Sequence, residues 1–359
     1  MAGLYIHIPF CKKRCLYCDF FSTTQLERRE EYIDALIKEL DQRQDEAGEP
    51  IRTVYIGGGT PSTLSIESVT ALNKHLISTY IEEYTVEINP GDATKEYLTG
   101  LRALGVNRLS MGVQSFQDEL LQLIGRRHNA QQAIDAVRMA QEAGFDNISI
   151  DLMYALPTQT MAQWEADIKT AISLGVQHIS SYGLIYEEGT ALTQLVERGE
   201  LEMQYEEVEN AMYDLLCDHL KDAGFVHYEV SNFALPGREA KHNSSYWNST
   251  PYIGVGAGAH SYIPPVRSWN PDDLDAYIRG IEHGKLVRES ETLTENDLYN
   301  ERIMLSLRTN KGVPAEQIEG DVRSHIEAGL LSQTKDGNIV ATQEGLHILN
   351  RIIEDLMKD

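Results

Sequence analysis

Short runs of β-branched and aromatic residues recur along the first two-thirds of the chain, separated by stretches whose apolar residues return every three or four positions. The runs cover residues 4–8, 53–56, 85–88, 108–113, 147–152 and 178–184. Each reads as a strand, and the stretches between them read as amphipathic helices. In the first of these, Tyr32, Ile33, Leu36, Ile37 and Leu40 make one apolar stripe. Glu27, Glu30, Glu31 and Asp34 gather near its start, where the helix dipole favours negative charge. Six strand–helix alternations predict an α/β chain with a parallel sheet covered by helices, either open or curled into a partial barrel.

The pattern changes near residue 230. Residues 231–271 are rich in Gly, Ser, Asn, Pro and aromatics with little periodicity, which predicts a loop-built segment. From 272 to 359 short helical patterns surround a turn signal at Lys335-Asp336-Gly337-Asn338, predicting a small helical domain with a winged-helix-like hairpin. The expected organisation is a core over 1–230, the loop-rich segment over 231–271 and a C-terminal domain over 272–359.

Charge narrows the partners. The chain carries 55 acidic and 31 basic residues, a formal net charge of −24, which opposes tight binding to nucleic acid or to anionic lipid. Residues 296–359 hold 7 basic against 11 acidic side chains, so the wing reads as structural and no nucleic-acid partner is expected. No run reaches the roughly 18–20 apolar residues of a membrane span. The opening Met1-Ala2-Gly3-Leu4-Tyr5-Ile6 lacks the basic and apolar regions of a signal peptide, so the expected location is the cytoplasm.

The candidate chemistry begins at Cys11-Lys12-Lys13-Arg14-Cys15-Leu16-Tyr17-Cys18. Three cysteines this close point to a soft metal centre. Structural zinc wants four ligands, usually in two separated pairs, and no second pair exists. Cys217 stands alone in the helical pattern of Tyr213, Leu216 and Leu220 and reads as a core residue. A cubane iron–sulfur cluster on three thiolates leaves one iron open for another ligand. The spacing taken alone leaves both zinc and cluster standing.

Cys-x3-Cys-x2-Cys just after a first strand, with Tyr17 before the third cysteine, resembles the radical S-adenosylmethionine (AdoMet) signature. Gly57-Gly58-Gly59-Thr60-Pro61 after the second strand resembles the glycine-rich motif of that superfamily. Tyr5-x-His7-Ile8-Pro9-Phe10-Cys11, Glu87-x-Asn89-Pro90, Gly112-Val113-Gln114-Ser115-Phe116, Arg126-Arg127-His128 and Asp151-Leu152-Met153 extend the likeness over essentially the whole chain. They match the order of the coproporphyrinogen III oxidase-like family. The resemblance implies a radical SAM partial (β/α)6 barrel and a [4Fe–4S] cluster on Cys11, Cys15 and Cys18. It also implies AdoMet contacts at Tyr5, Tyr17, Gly58, Gly59, Thr60, Glu87, Gln114, Arg126 and Asp151. Independently, Glu87 and Asp151 fall at the C-terminal ends of predicted strands, where α/β barrels place their active sites.

Two departures set the chain apart from the decarboxylating oxidases of that family. They carry a fourth cysteine two positions after the third, where this chain has Phe20, and an extension ahead of the Tyr-x-His motif. His242-Asn243-Ser244-Ser245-Tyr246-Trp247 instead resembles the motif of HemW-type haem chaperones. That likeness implies haem as cargo, with His242 as its ligand and the aromatics against the porphyrin. The plain alternative is a loop histidine capping backbone, with aromatics that anchor the loop. The resemblance further implies delivery to haem proteins, membrane-bound respiratory enzymes among them, reached through partners at the membrane. No residue is assigned a catalytic role. Oxygen-independent coproporphyrinogen III dehydrogenation is the alternative function, and a homodimer stays open.

Overall fold

The computed structural model describes residues 2–77, 80–285 and 288–358. At its centre are β1 (Ala2–Ile8), β2 (Ile51–Gly58), β3 (Glu83–Ile88), β4 (Arg108–Gln114), β5 (Ile148–Tyr154) and β6 (His178–Gly183), parallel and hydrogen-bonded in chain order. The connections carry α1 (Arg29–Arg43), α2 (Ile66–Lys74), α3 (Lys95–Ala103), α4 (Asp118–Leu123), α5 (Ala130–Glu142) and α6 (Met161–Ser173). These are the strands that the hydrophobic pattern predicts, and the expected stripe on α1 buries Tyr32, Ile33, Leu36 and Leu40.

The strands have two unlike faces. Val54, Ile56, Val86, Ile88, Leu109, Met111, Ile148, Ile150 and Ile179 belong to the main apolar core. The opposite parity is polar: Thr53 and Tyr55, Thr85 and Glu87, Arg108 and Ser110, Ser149 and Asp151, His178 and Ser180. Bonds between strands join this second set on one face. Tyr55 donates to Glu87 at 2.8 Å, Ser110 donates to Asp151 at 3.3 Å, and Ser149 pairs with His178 Nδ1 at 2.7 Å. Parallel strands buried on both sides ordinarily read as continuous apolar runs. A polar inner face therefore marks a lumen that holds something other than aliphatic side chains.

The sheet continues at both edges. After α7 (Ala191–Glu197) and α8 (Glu206–Asp222), β7 (Val226–Glu229) and β8 (Asn232–Ala234) add antiparallel to β6. At the other edge β9 (Tyr252–Val255) runs parallel to β1, followed by β10 (His260–Ile263), β11 (Val266–Trp269) and β12 (Glu289–Thr292). The segment 231–271, expected as loop, thus supplies four strands and the helix α9 (Lys241–Trp247). Strands of three or four residues are too short for an alternating pattern to register in the sequence.

Leu274, Tyr277, Ile278 and Ile281 of α10 (Leu274–Glu282) join the main core, so the chain does not change core at residue 272. A second core forms further on, from Tyr299 and Ile303 of α11 (Glu295–Ser306) to Ile352, Ile353 and Leu356 near the C-terminus. Around it lie β13 (Val313–Pro314), α12 (Val322–Glu327), β14 (Leu331–Gln333), β15 (Asn338–Ala341), α13 (Gln343–His347) and α14 (Leu349–Leu356). The antiparallel pair of β14 and β15 flanks the turn signalled at 335–338. Cys217 packs against the main core from α8, as expected, and burial pushes its thiol up to about 12. No helix among the described residues is long and apolar enough to cross a membrane.

Candidate functional site

The C-terminal ends of the parallel strands open into a cavity of about 540 Å³. Cys11, Cys15 and Cys18 all line it, as do Tyr17, Gly58, Gly59, Thr60, Glu87, Gln114, Arg126 and Asp151. Of the residues expected to hold the cluster, AdoMet or the haem iron, Tyr5 and His242 lie outside the lining. Tyr5 sits one layer lower, its hydroxyl 2.9 Å from His7 Nδ1.

The cysteine loop is tied down from three sides. The Cys11 amide donates to Thr23 O at 2.9 Å, and Cys11 Sγ lies 3.3 Å from Thr60 Oγ1. Arg126 reaches Cys15 Sγ at 3.4 Å and also bonds the Gly112 carbonyl. Lys12 donates to Asp92 at 2.7 Å, and Arg127 holds both oxygens of the same carboxylate at 3.2 and 2.7 Å. The Asp92 side chain is only 2% exposed, and its two cationic partners hold its carboxyl below the usual range despite burial. Asp92 is the residue that sequence reasoning missed here, because its partners lie 80 and 35 positions away.

Backbone shape brings the glycine motif to the same wall. Gly58 has φ +112°, and a Cβ there would stand 2.6 Å from the His7 ring. At Gly59 a Cβ would meet the Pro9 backbone at 2.9 Å and Cys11 Sγ at 3.1 Å. Only glycine fits at either position. Gln114 takes φ +69°, a costly conformation for a non-glycine residue, and Asp167 of α6 over-determines the turn beyond it. That buried carboxylate accepts from Ser115 Oγ at 2.6 Å, the Phe116 amide at 2.9 Å and Gln117 Nε2 at 2.9 Å.

Two carboxyls stand at the floor. Glu87 accepts from Tyr55 and from the Gly58 amide at 3.1 Å, yet burial raises its pKa to about 7. Burial raises Asp151 to about 6 against the pull of Arg108 and of hydrogen bonds from Ser180 and Ser110. Arg108 is itself 1% exposed, and its Nε and Nη1 have no hydrogen-bond partner among the described residues. The period-two polar pattern in the parallel strands is the sequence signal for this whole layer.

The donor set decides what the mouth can hold. No three His, Cys, Asp or Glu side chains among the described residues converge closely enough for a single ion. Zinc needs four such donors on one point. Three thiols around one cavity, each at its own place, fit a cluster in which each thiolate takes a different iron. The buried Arg126, with an unpartnered Nε, and the close glycine wall fit a small charged ligand beside it. Burial pushes the Cys11 and Cys18 thiols up, so ionising them calls for a cationic partner.

The histidine motif lies away from the cysteines. α9 plugs the barrel from the end opposite the cysteines, and the Lys241 and His242 amides donate to Glu83 at 2.9 and 2.8 Å. His242 is fully buried, with Nδ1 2.9 Å from Thr53 Oγ1 and Nε2 2.8 Å from Tyr246 Oη. It stacks on Tyr55 at 5.3 Å, and burial lowers its pKa to about 3, so the ring is neutral. Both ring nitrogens are hydrogen-bonded in this arrangement. Haem ligation at His242, the expectation from the motif, would require one of these bonds to be exchanged for iron. The next residue, Asn243, lines the cavity instead.

Comparison with known proteins follows the same lines. Residues 5–171 match the model of the radical SAM superfamily. The heme chaperone HemW of Lactococcus lactis is 38% identical over 99% of this chain and 97% of its own length. The heme chaperone HemW of Bacillus subtilis is 41% identical over 87% of this chain and 85% of its own length. Among solved structures, the coproporphyrinogen III oxidase HemN of Escherichia coli superposes with a TM-score of 0.83, at 24% identity, over 99% of this chain and 90% of its own. That likeness speaks for the fold.

Proposed function

This chain belongs to the radical SAM superfamily and, within it, to the HemW family, and we propose that it is a haem chaperone. On this reading it takes up haem in the cytoplasm and passes it to haem proteins, respiratory enzymes of the membrane among them. The observation that carries the reading is the end-to-end similarity to relatives named for that activity. The exposed Phe20, at the position where the decarboxylating oxidases have a fourth cysteine, supports it from this chain's own residues.

Cys11, Cys15 and Cys18 would hold the [4Fe–4S] cluster, with Lys12, Lys13 and Arg14 offsetting its charge. AdoMet would lie against Gly58, Gly59 and Thr60, between Tyr17, Glu87, Gln114, Arg126 and Asp151. Tyr5 acts through His7, whose ring packs on Gly58. A cluster bound there would supply one-electron reducing chemistry beside the AdoMet site.

Asp92 is expected to secure the cluster by holding Lys12 and Arg127 on either side of the cysteine loop. Asp92→Ala should lower cluster retention by about 10-fold or more, the scale on which outer partners support metal sites. Iron and sulfide per chain after desalting measure it, and unchanged retention would contradict the role.

The floor carboxyls give a pH dependence with a defined sign. Their raised pKa values, about 7 for Glu87 and about 6 for Asp151, mean that the proton leaves only as pH rises through that window. The ionised forms are the better partners for a cationic sulfonium and amine. AdoMet affinity should therefore rise by about tenfold between pH 6 and pH 8 and level off above the Glu87 pKa. Glu87→Gln should flatten the upper part of the profile. Calorimetric titration across that range checks it, and a flat wild-type profile would count against the assignment.

The reading itself is tested by an anaerobic haem titration of the cluster-reconstituted protein, followed by absorption. A saturable Soret band is expected. Haem that adds without saturation would overturn the proposal.

A further inference from the structure

If the chain carries haem, the cargo needs a surface, and His242 is buried with both ring nitrogens hydrogen-bonded. The cavity mouth offers one. Phe20 is 66% exposed, Ile185 69% and Tyr182 42%, and all three line the same opening. They come from separate segments: Phe20 follows the cysteine loop, Tyr182 is the penultimate residue of β6, and Ile185 lies just beyond the strand. Exposed apolar groups gathered at a cavity mouth mark a binding surface rather than the ordinary scatter of surface hydrophobes.

Charge selects the occupant. The exposed Lys13 and Arg14 stand on the cysteine-loop side of the opening, in a chain of net charge −24. Asp19 and Glu187 also line the mouth, so its cationic character is local to that side. A surface with aromatic and aliphatic side chains and a cationic margin suits a flat, apolar ring system with carboxylates along one edge. A short apolar peptide would leave Lys13 and Arg14 unanswered, and a nucleotide would leave Ile185 and Phe20 without an aliphatic partner.

The geometry points to the mouth of the cavity as the haem site, with the macrocycle against Phe20, Tyr182 and Ile185 and the propionates toward Lys13 and Arg14. This inference rests on the haem-carrier reading. The lining contains no histidine, so the ring faces and propionates carry the affinity. Haem held this way sits over the cysteines and leaves by the opening through which it entered. α9 then serves as the plug of the barrel, with Asn243 as part of the floor.

The test is the anaerobic haem titration on four proteins: wild type, Phe20→Asp, Ile185→Asp and His242→Gln. Phe20 and Ile185 are exposed, so their replacement leaves the fold standing, and melting temperature and iron content verify that. Each rim substitution should weaken haem binding about tenfold or more, from the lost burial of one large apolar side chain. His242→Gln should bind within a few-fold of wild type. Haem dimethyl ester, which lacks the propionate charges, should bind wild type more weakly than haem does. Full affinity in both rim variants would overturn the inference, as would loss confined to His242→Gln, which moves the haem to α9. Absence of saturable binding in wild type would instead sink the haem-carrier reading and this inference with it.

Discussion

Cys15→Ala is expected to abolish the visible absorption of a reconstituted iron–sulfur cluster and to lower AdoMet affinity by at least about 100-fold. That figure is the upper end of what losing a mere outer partner does to a metal site. Of the three cysteines, Cys15 is the one that Arg126 contacts, at 3.4 Å. With two thiolates left, an iron at that corner has no protein ligand, and Arg126 loses its partner at the same stroke. The wild-type cavity brings AdoMet-sized space, glycine backbone and two carboxyls beside those thiols. The effect should therefore be all-or-none in cluster content rather than graded. Absorption, iron analysis and equilibrium dialysis with labelled AdoMet measure it. A Cys15→Ala protein that keeps a full cluster would mean that the three cysteines are not the ligand set.

The second large effect lies far from the mouth. Glu39→Ala should destabilise the chain by about 3–5 kcal/mol, the usual loss when one partner of a buried ion pair is removed. Neither Glu39 nor Arg43 is solvated, with side chains 0% and 1% exposed, and Arg43 Nη1 lies 2.6 Å from Glu39 Oε1. The carboxylate also accepts from Asn270 at 2.7 Å, Tyr277 at 2.7 Å and the Gly256 amide at 2.8 Å. Arg43 in turn donates to Gly254 O at 2.9 Å and Ser261 at 3.0 Å. The network welds α1 to β9, β10 and α10. Alanine at 39 leaves the buried Arg43 with only the half-buried Glu46 as counter-charge, at 3.1 Å, and strands three further donors, a large share of a typical folding stability of about 5–15 kcal/mol. Replacing both partners by methionine should cost less than the sum of the single losses, because no charge is then left alone. Denaturant unfolding of the four proteins checks it. A single-variant loss below about 1 kcal/mol would show that the pair is not what fastens this edge of the sheet.

What the sequence made legible follows from how local each signal is. The six parallel strands and α1 are written in runs and stripes that any segment displays by itself. The cysteine loop, the glycine turn, Glu87, Gln114, Arg126 and Asp151 were legible as a set, and one cavity gathers them. Asp92 and Asp167 were not, since a lone carboxylate ordinarily faces water and their partners come from distant segments. The polar lumen was written in period two but hidden inside strands that otherwise scan as β-rich.

The histidine motif is a different case. Its residues were found, but a helix turns about 100° per residue, so neighbours in sequence face different surroundings. On α9 that rotation buries His242 against Thr53 and Tyr246 and gives Asn243 to the cavity. A motif names the residues without saying which of them faces the ligand.

On the proposed reading, this radical SAM scaffold carries a porphyrin instead of transforming one. The most direct test incubates the cluster-reconstituted protein anaerobically with AdoMet, a reductant and coproporphyrinogen III, beside a parallel sample that receives haem. Saturable haem uptake with no divinyl product is the predicted result. Accumulation of protoporphyrinogen IX over repeated turnovers would contradict it and make the chain a dehydrogenase.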